Sequence, residues 1–424
     1  MVRPGWIFCT ICSLNFLAAS NALGQDNRFT VSLLYSFTNT SAGAWPVHGL
    51  ALDSAGNLYG VALAGLYQQG RYCFNEGCGG VYEMTSDGNG RWNTATAIHI
   101  FNGSDGGSPS TNLILSKNGD TIFGTASQGG VFGFGVVFQL SKAGSGWNYT
   151  VIHSFSNAEG SPSGLATDHA GSLYGMTYNG GPGSMGTVYK LSPSGTGSWE
   201  ETILYSFRGS PDGAYPFSYP TYNPDDGSLY GTTQYGGANG DGTVFRLSPK
   251  PDGSWSEKIL FDFAGENGAS PKGPLLLVQQ GQTILGTTST GGAFAQGTVF
   301  LLHEWENDNW AENVIHSFNN DGSDGYSVSG GLLSTSTGHL YGTTASGGLN
   351  SGGIVYELLP TEGEPGSWTE TVVHNFNPMD GADGSLPDGI LVFNQSGTSL
   401  LSTTQEGGAL TLGTVYQISA TLGF

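Results

Sequence analysis

Residues 225–249 read DDGSLYGTTQYGGANGDGTVFRLSP, and this stretch contains the signals that decide the fold. Two runs rich in β-branched and aromatic residues, LYGTT at 229–233 and TVFRL at 243–247, lie on either side of a glycine-rich segment. Short runs of this kind, bounded by Asp, Gly and Asn, are typical of strands joined by tight turns. The stretch therefore predicts two neighbouring strands of a small sheet.

The same pattern recurs seven times, with a spacing of about 57 residues. The copies of LYGTT are centred on Gly60, Gly124, Gly175, Gly231, Gly286, Gly342 and Ser402. Each copy is followed by glycines and a G-T-V-Y/F run. A further strand closes in the aromatic-S-F pattern at Phe37, Phe101, Phe155, Phe207, Phe263, Phe318 and Phe376. Each of these Phe residues is preceded, eight or nine residues earlier, by another large aromatic residue. These residues are Phe29, Trp92, Trp147, Trp199, Trp255, Trp310 and Trp368.

Together with a G-L-x-x-D strand before LYGTT, each unit contains four short strands. Seven such units predict an all-β protein, a seven-bladed β-propeller of four-stranded blades. The strand at 31–37 precedes the first complete unit, and the last unit ends before its fourth strand. We therefore expect the N-terminal strand to complete the seventh blade, which would remove the open edges of the ring.

Composition restricts the function classes. Only 11% of the residues are charged, against roughly 25% in soluble domains. Glycine is abundant, with 71 residues, while 38% hydrophobic and 12% aromatic residues can form a core and argue against disorder. The formal net charge of -21, with 12 Lys and Arg residues, argues against nucleic acid as a partner.

The N-terminus indicates export. Arg3 precedes an apolar run of about 14 residues and a small-residue pattern, which is typical of a secretory signal peptide. We predict a Sec signal peptide at 1–24 and a propeller at 25–424, secreted or periplasmic in a bacterium. An uncleaved N-terminal anchor is the alternative, although the run is short for a membrane span. We expect a monomeric mature chain with no membrane insertion.

Two cysteines, Cys73 and Cys78, remain after removal of the predicted signal peptide. In an oxidising compartment they are expected to form a disulfide that closes a loop. A free pair or a metal site is the less favoured alternative, because two thiols alone do not complete four ligands.

The combination of DxxGNLYGTT, GGxxGxGTVFxL and ETVLHSF motifs resembles the Gloeo/Verruco (GloVer) tandem repeat of exported bacterial proteins, often of the choice-of-anchor type. The resemblance covers about residues 29–424. It implies an exported repeat protein without assigned catalytic residues. Because the chain ends at Phe424 directly after the last predicted strand, we do not expect the sorting segment of anchored members.

In a propeller with the G-L-x-x-D strand innermost, the connections between blades share one face with the loops between second and third strands. The blade connections carry Asp105, Glu159, Asp212, Glu266, Asp324 and Asp383. Asp105, Asp212, Asp324 and Asp383 are candidate ligands of a metal such as calcium, because hard cations bind carboxylates. Turn capping beside glycine is the favoured interpretation, and no cofactor is expected.

Repeated positions also explain most histidines and glutamates. His99, His153, His316 and His374 share a position with Tyr35, Tyr205 and Phe261, so this position is expected to hold a partly buried ring. Glu201, Glu257, Glu312 and Glu370 each stand two residues after the Trp and are a repeat feature, not a glycosidase pair.

Function is expected where the copies differ, because all blades need the shared residues for packing. Unit one is longest, and its extra residues bring Tyr67, Arg71 and Tyr72 onto the loop that the disulfide closes. Exposed aromatic side chains suit sugar rings or peptides. The predicted ligand-binding residues are Trp45, His48, Tyr67, Arg71, Tyr72, Tyr215, Tyr219, Lys272 and Tyr326. The alternative is that these aromatics only cover the core.

The resulting hypothesis is an extracellular binding module for a glycan or a protein, not an enzyme. A second hypothesis is a carbohydrate-active enzyme, a glycoside hydrolase or lyase, that uses carboxylates of the loop face such as Asp105 or Asp212. A third is a structural repeat protein without a small ligand. A nucleophile elbow, a P-loop and an HExxH motif are absent from the sequence.

Overall fold

A computed structural model describes residues 28–424 apart from 40, 67–72, 74–76, 89, 111, 169, 196, 307, 362–365 and 422. Its strands form seven antiparallel sheets arranged in a ring, and the only helical turn in the described part is the 3-10 turn Gln279–Gly281. The predicted seven-bladed β-propeller is confirmed. The predicted signal peptide at 1–24 lies outside the described residues. No helix within the described ranges is both long and apolar enough to cross a membrane.

Each blade has four strands, ordered below from the innermost to the outermost. Blade one comprises Ala44–Leu52, Leu58–Ala64, Gly80–Met84 and Thr96–Ile100. Blade two comprises Gly107–Pro109 with Ile114–Leu115, then Thr121–Gln128, Val136–Ala143 and Gly146–Ser154. Blade three comprises Pro162–Thr167, Leu173–Thr177, Thr187–Ser194 and Ser198–Ser206. Blade four comprises Thr221–Tyr222, Leu229–Thr233, Thr243–Pro249 and Trp255–Asp262.

Blade five comprises Leu276–Val278, Thr283–Thr288, Thr298–Glu306 and Asn309–Ser317. Blade six comprises Leu333–Ser334, Leu340–Thr344, Ile354–Pro360 and Trp368–Asn375. Blade seven comprises Val392–Phe393, Ser399–Thr404, Thr414–Ala420 and Phe29–Ser36. Short pairs extend three blades: Gly213–Ala214 with Tyr235–Gly236, Gly325–Tyr326 with Ser346–Gly347, and Gly384–Ser385 with Glu406–Gly407.

The two ends of the chain meet in blade seven. Phe29–Ser36 is its outermost strand and pairs antiparallel with Thr414–Ala420, from Phe29 opposite Ala420 to Ser36 opposite Thr414. The expectation that the N-terminal strand closes the ring is therefore confirmed. Every blade then has four strands, and the ring is closed by a blade that holds both ends of the chain.

The repeated LYGTT and GTVF motifs meet across one strand pair. Gly231 lies opposite Phe245, and a Cβ atom at Gly231 would stand 2.6 Å from the Phe245 ring atom Cζ. The hydroxyl groups of Thr233 and Thr243 are 2.8 Å apart at the end of the same pair. The glycine thus makes room for the aromatic ring, and the two threonines satisfy each other inside the blade.

The recurring Trp residues join neighbouring blades. Trp147 of blade two packs edge-on against Tyr59 of blade one, with ring centroids 5.8 Å apart. Trp199 contacts Phe123 in the same way at 5.8 Å. Tyr59 and Phe123 occupy the second position of the LYGTT motif. The interface between two neighbouring blades is therefore formed by the LYGTT motif of one blade and the recurring Trp of the next.

The connections that run from the outermost strand of one blade to the next blade lie on one side of the ring. The loops between the second and third strands of each blade lie on the same side, which we call the loop face. Backbone bonds cross between blades on this face. The Trp45 N–H donates to the Leu412 carbonyl of blade seven at 2.8 Å, and Tyr215 N–H donates to Met185 of blade three at 2.8 Å. The donors share a left-handed backbone conformation, which recurs at Trp45, Ser108, Tyr215, Ser270, Ser327 and Leu386.

Candidate functional site

An axial cavity of about 400 Å³ lies at the loop-face end of the ring axis. All seven blades contribute to its wall through the first residues of their innermost strands. One position contributes in every unit: the residue directly after the proline of the D-G-x-x-P pattern, with Val328 replacing the proline in blade six. The seven residues at this position are Val47, Ser110, Ser163, Phe217, Lys272, Ser329 and Asp388.

Serine occupies this position in three blades, and the other four blades place different side chains there. Lys272 supplies a cation, Asp388 a carboxyl group and Phe217 an aromatic ring. Burial raises the pKa of Asp388 to about 7, and its Oδ1 atom has no hydrogen-bond partner among the described residues. Asp388 lines the cavity, and a pKa of about 7 brings the protonation equilibrium of its carboxyl group close to neutral pH.

His48 and Tyr219 add polar groups to the same wall. Burial lowers the pKa of His48 to about 4, so its imidazole is neutral at physiological pH. Burial raises the pKa of Tyr219, which keeps its hydroxyl protonated. Both residues can thus serve as neutral hydrogen-bonding groups beside Lys272.

A second cavity of about 390 Å³ adjoins the first toward the opposite face. The two share Asn112, Tyr219, Pro274 and Ile390 as lining residues. The second cavity is mostly apolar and includes Tyr222, which stacks on Tyr174 at 5.7 Å. Tyr222 ends the innermost strand of blade four, away from the loop face.

An aromatic patch lies beside the axial cavity on blades three and four. We define it by Tyr178, Tyr215, Phe217 and Tyr235. The Tyr178 ring centroid lies 5.2 Å from that of Tyr215 and 6.1 Å from that of Phe217, and Tyr215 lies 6.1 Å from Tyr235. Phe217 and Tyr235 are 42% and 43% exposed, and Lys272 Nζ is 5.8 Å from the Phe217 centroid. Phe217 belongs to both the patch and the cavity.

The structure brings together part of the set predicted from the sequence. His48, Tyr219 and Lys272 line the axial cavity, and Tyr215 lies in the aromatic patch. Trp45 and Tyr326 are half-buried on the loop face and do not line the cavity. Tyr67, Arg71 and Tyr72 lie outside the described residues. Four residues of the cavity and patch were not predicted from the sequence: Asp388, Phe217, Tyr178 and Tyr235. The side chain at the position after the repeat proline varies among the units, and this variation could have indicated Asp388 and Phe217.

The predicted disulfide between Cys73 and Cys78 is present. Cys78 is fully buried, and its carbonyl accepts the Ser108 N–H of the next blade at 3.0 Å. The bond therefore links Cys73 to a contact between blades one and two.

The acidic residues of the blade connections cap turns. Asp212 accepts the amides of Arg208 and Gly213 at 3.0 and 2.7 Å, and Asp383 accepts those of Asn377 and Gly384 at 2.9 and 2.8 Å. Asp105 and Asp324 make the same kind of contact. Among the described residues, Asp324 alone of these four belongs to a group of three close metal-ligating side chains.

Comparison with known structures supports the fold. The chain resembles an ancestral GH74 enzyme (TM-score 0.58, 13% identity), covering 90% of this chain and 49% of that one. It also resembles a putative 6-phosphogluconolactonase from Bacteroides uniformis, with a TM-score of 0.52 and 14% identity. The match covers 84% of this chain and 89% of that one. A periplasmic gluconolactonase from Pseudomonas aeruginosa gives a TM-score of 0.52 at 16% identity, with 85% and 96% covered. At these identities the likeness concerns the fold alone.

No curated protein matches the sequence. The family model described as the Gloeobacter/Verrucomicrobia repeat matches residues 24–223 and 218–424, which together include both halves of the propeller. The LYGTT, GTVF and aromatic-S-F motifs that build each blade lie within these matches. The chain therefore belongs to the Gloeobacter/Verrucomicrobia repeat family.

Proposed function

We propose that this protein is an exported binding module for a glycan, with the ligand on the aromatic patch and one end in the axial cavity. The observation that carries this proposal is the junction at Phe217, where exposed rings meet a cavity containing Lys272 and Asp388. Flat aromatic rings provide a rigid apolar surface for a sugar ring at low entropic cost. The polar groups of the cavity would select for hydroxyl groups.

Charge favours a neutral glycan over a polyanionic one. The net charge of -21 repels anionic polymers, and Lys272 is the one cationic side chain among the described residues of the cavity wall. His48 is neutral and Asp388 is partly protonated near pH 7. The wall therefore offers hydrogen-bond donors and acceptors with little net charge, which suits sugar hydroxyl groups.

Export is part of the same proposal. The Cys73–Cys78 disulfide is typical of an oxidising compartment, and the N-terminal sequence has the features of a Sec signal peptide. A glycan outside the cytoplasm, in the periplasm or beyond the cell, is then the ligand class that the protein would meet. A monomer is expected.

A second candidate function is turnover of a sugar derivative in the axial cavity. Asp388 supports it, because a buried carboxyl group with a pKa near 7 can act as a general acid. The solved structures with the same fold include proteins described as gluconolactonases and as a GH74 enzyme. The turn-capping contacts of Asp105 and Asp212 make those residues weaker choices for catalysis than Asp388.

The test is incubation of the purified protein with soluble and insoluble neutral polysaccharides, measuring bound protein and released sugar ends in the same samples. Phe217→Ala and Tyr235→Ala should each weaken retention about tenfold or more. Trp305→Ala is the matched control, since Trp305 is 61% exposed at a hairpin on the opposite face. Equal retention of all variants would contradict the patch as the site.

Release of sugar ends would favour the enzyme, and Asp388→Asn should then abolish release while leaving retention. If the protein is not retained and no sugar ends are released, a protein ligand or a structural role becomes the better account. Unchanged thermal unfolding of each variant would exclude misfolding as the cause of any loss.

A further inference from the structure

Two interfaces between blades repeat one arrangement of three potential metal ligands. The outermost strand of one blade supplies a histidine, the connection that follows supplies an acid, and the outermost strand of the next blade supplies a glutamate two residues after its Trp. Between blades two and three the residues are His153, Glu159 and Glu201, and between blades five and six they are His316, Asp324 and Glu370. In each group the ligand atoms all lie within 4.8 Å of one another.

The distances in the first group match tetrahedral coordination. His153 Nε2 lies 3.4 Å from Glu159 Oε1 and 3.7 Å from Glu201 Oε1. A tetrahedral ion with bonds of 2.0–2.1 Å separates its ligands by about 3.3 Å, so small side-chain shifts would complete the site. Calcium is a poor fit, because it needs six to eight oxygen ligands at longer distances.

The same group contains buried polar atoms whose hydrogen-bonding capacity is poorly met. His153 Nε2 and Glu201 Oε1 are both enclosed from solvent and lie near other ligand atoms of the group, but neither makes a well-aligned hydrogen bond among the described residues. Leaving two such atoms unsatisfied at one place is costly, and a cation between them would satisfy both. The side chains of His153 and Glu159 remain 20% and 27% exposed, which leaves a route for an ion and a water ligand.

We propose that the two groups are binding sites for a divalent transition metal of the zinc type, each held by one imidazole and two carboxylates. A ligand set of mixed nitrogen and oxygen donors suits zinc and its neighbours in the first transition series. Water would occupy the fourth position. Because each site takes ligands from two blades, a bound ion would cross-link adjacent blades.

The second group has the same kinds of ligand, with an aspartate in the connection in place of a glutamate. His316 Nε2 lies 3.3 Å from Asp324 Oδ2, and Glu370 Oε1 is buried without a hydrogen-bond partner among the described residues. Four aspartates were predicted from the sequence as candidate metal ligands. Of these, Asp324 alone belongs to a group of three close ligands among the described residues. Its amide contacts hold the carboxylate in place while Oδ2 still faces His316.

Other interfaces supply matched controls inside the same chain. Glu257 and Glu312 occupy the glutamate position of blades four and five, but the histidine position before them holds Tyr205 and Phe261. Without the imidazole these interfaces lack the third ligand. Between blades one and two, Tyr149 replaces the glutamate and stacks on His99 at 3.7 Å.

The test is a measurement of bound metal by elemental analysis and titration calorimetry, after loading the purified protein with Zn²⁺ and removing the excess. We expect Glu201→Gln and Glu370→Gln each to lose one equivalent of zinc relative to the unsubstituted protein, and the double variant to lose two. Glu257→Gln and Glu312→Gln should lose none. Zinc should also raise the thermal unfolding temperature of the unsubstituted protein but not of the double variant.

The same zinc content in the double variant and the unsubstituted protein would overturn the proposal. An equal loss in the control variants would overturn it too, because the effect would then not depend on the histidine. Each glutamine is close in shape to the glutamate it replaces, and circular dichroism would confirm that the variants fold. The readout does not depend on glycan binding, so the two proposals can fail separately.

Discussion

Arg28 Nη2 lies 2.8 Å from Glu357 Oε2, and this bond attaches the residue before the first strand to the third strand of blade six. The Glu357 side chain is 1% exposed and also contacts His339 Nδ1 at 2.9 Å. The Tyr341 hydroxyl donates to the same carboxylate. The strand that closes blade seven is thus held by the neighbouring blade as well as by its own sheet.

Arg28→Ala should lower the free energy of unfolding by about 1–3 kcal/mol, because it leaves the buried Glu357 carboxylate without its cation. Chemical denaturation monitored by Trp fluorescence would measure the change. Arg91→Ala, at an exposed residue of blade one, is the control and should have an effect below about 0.5 kcal/mol. Equal effects would show that Arg28 does not stabilise the closure.

Gly231→Ala should destabilise the protein by about 1–3 kcal/mol, because the new Cβ atom would overlap the Phe245 ring in a packed blade. Blade seven provides the comparison, since Ser402 already carries a Cβ atom there and bonds the Ile390 carbonyl at 3.2 Å. Ser402→Ala should therefore cost less than Gly231→Ala in thermal unfolding. The reverse order would contradict the steric explanation of the repeated glycine.

Glu312→Gln should stabilise the protein at pH 8 and have little effect at pH 4. Burial raises the pKa of Glu312 to about 7 from an ordinary value of 4.5. The native form therefore holds its proton more tightly, and stability present below about pH 4.5 is lost as the pH rises through 7. After discounting for partial exposure, the gain at pH 8 is about 1 kcal/mol.

Unfolding temperatures across this pH range would measure the effect of Glu312→Gln. Glu306→Gln, at an exposed site of the adjacent strand, is the control for replacing a glutamate that is not buried. A pH-independent difference between Glu312→Gln and the unsubstituted protein would contradict the raised pKa of Glu312.

Replacing both Cys73 and Cys78 by Ser should lower the free energy of unfolding by about 2 kcal/mol, the value expected for a short closed loop. Because neither sulfur belongs to the groups of metal ligands, zinc content should stay unchanged. Denaturation and elemental analysis of the same sample would check both parts. Loss of zinc in this variant would assign metal binding to the thiols instead.

The repeat made the fold predictable. Units two to six repeat the glycine at Gly231 and the aromatic ring at Phe245 fourteen residues apart, because these blades need the same packing, so one unit predicts the others. Closure by the strand from Phe29 followed from counting strands at the two ends. These features depend on local sequence and on a symmetry that the sequence itself displays.

The site was less predictable because the axis brings together residues from all seven units. Phe217 belongs to blade four and Asp388 to blade seven, and nothing local in either segment indicates that they share a cavity. The pairing of His153 with Glu201 also depends on how adjacent blades pack. The sequence indicated His48, Tyr219 and Lys272, and aligning the units on the repeat proline would also have indicated Phe217 and Asp388.

That position has an evolutionary consequence. The residue after the repeat proline faces the cavity in every blade, from Val47 to Asp388, while other residues carry the glycine–aromatic contacts and the closure of the ring. Val47 also packs in the core and Ser163 bonds the Ser218 carbonyl of the next blade, but substitutions at Phe217 or Lys272 can change the chemistry of the cavity with little effect on how the blades assemble. A duplicated gene could therefore acquire a new ligand by altering a few of seven independent sites, one blade at a time, on an unchanged scaffold.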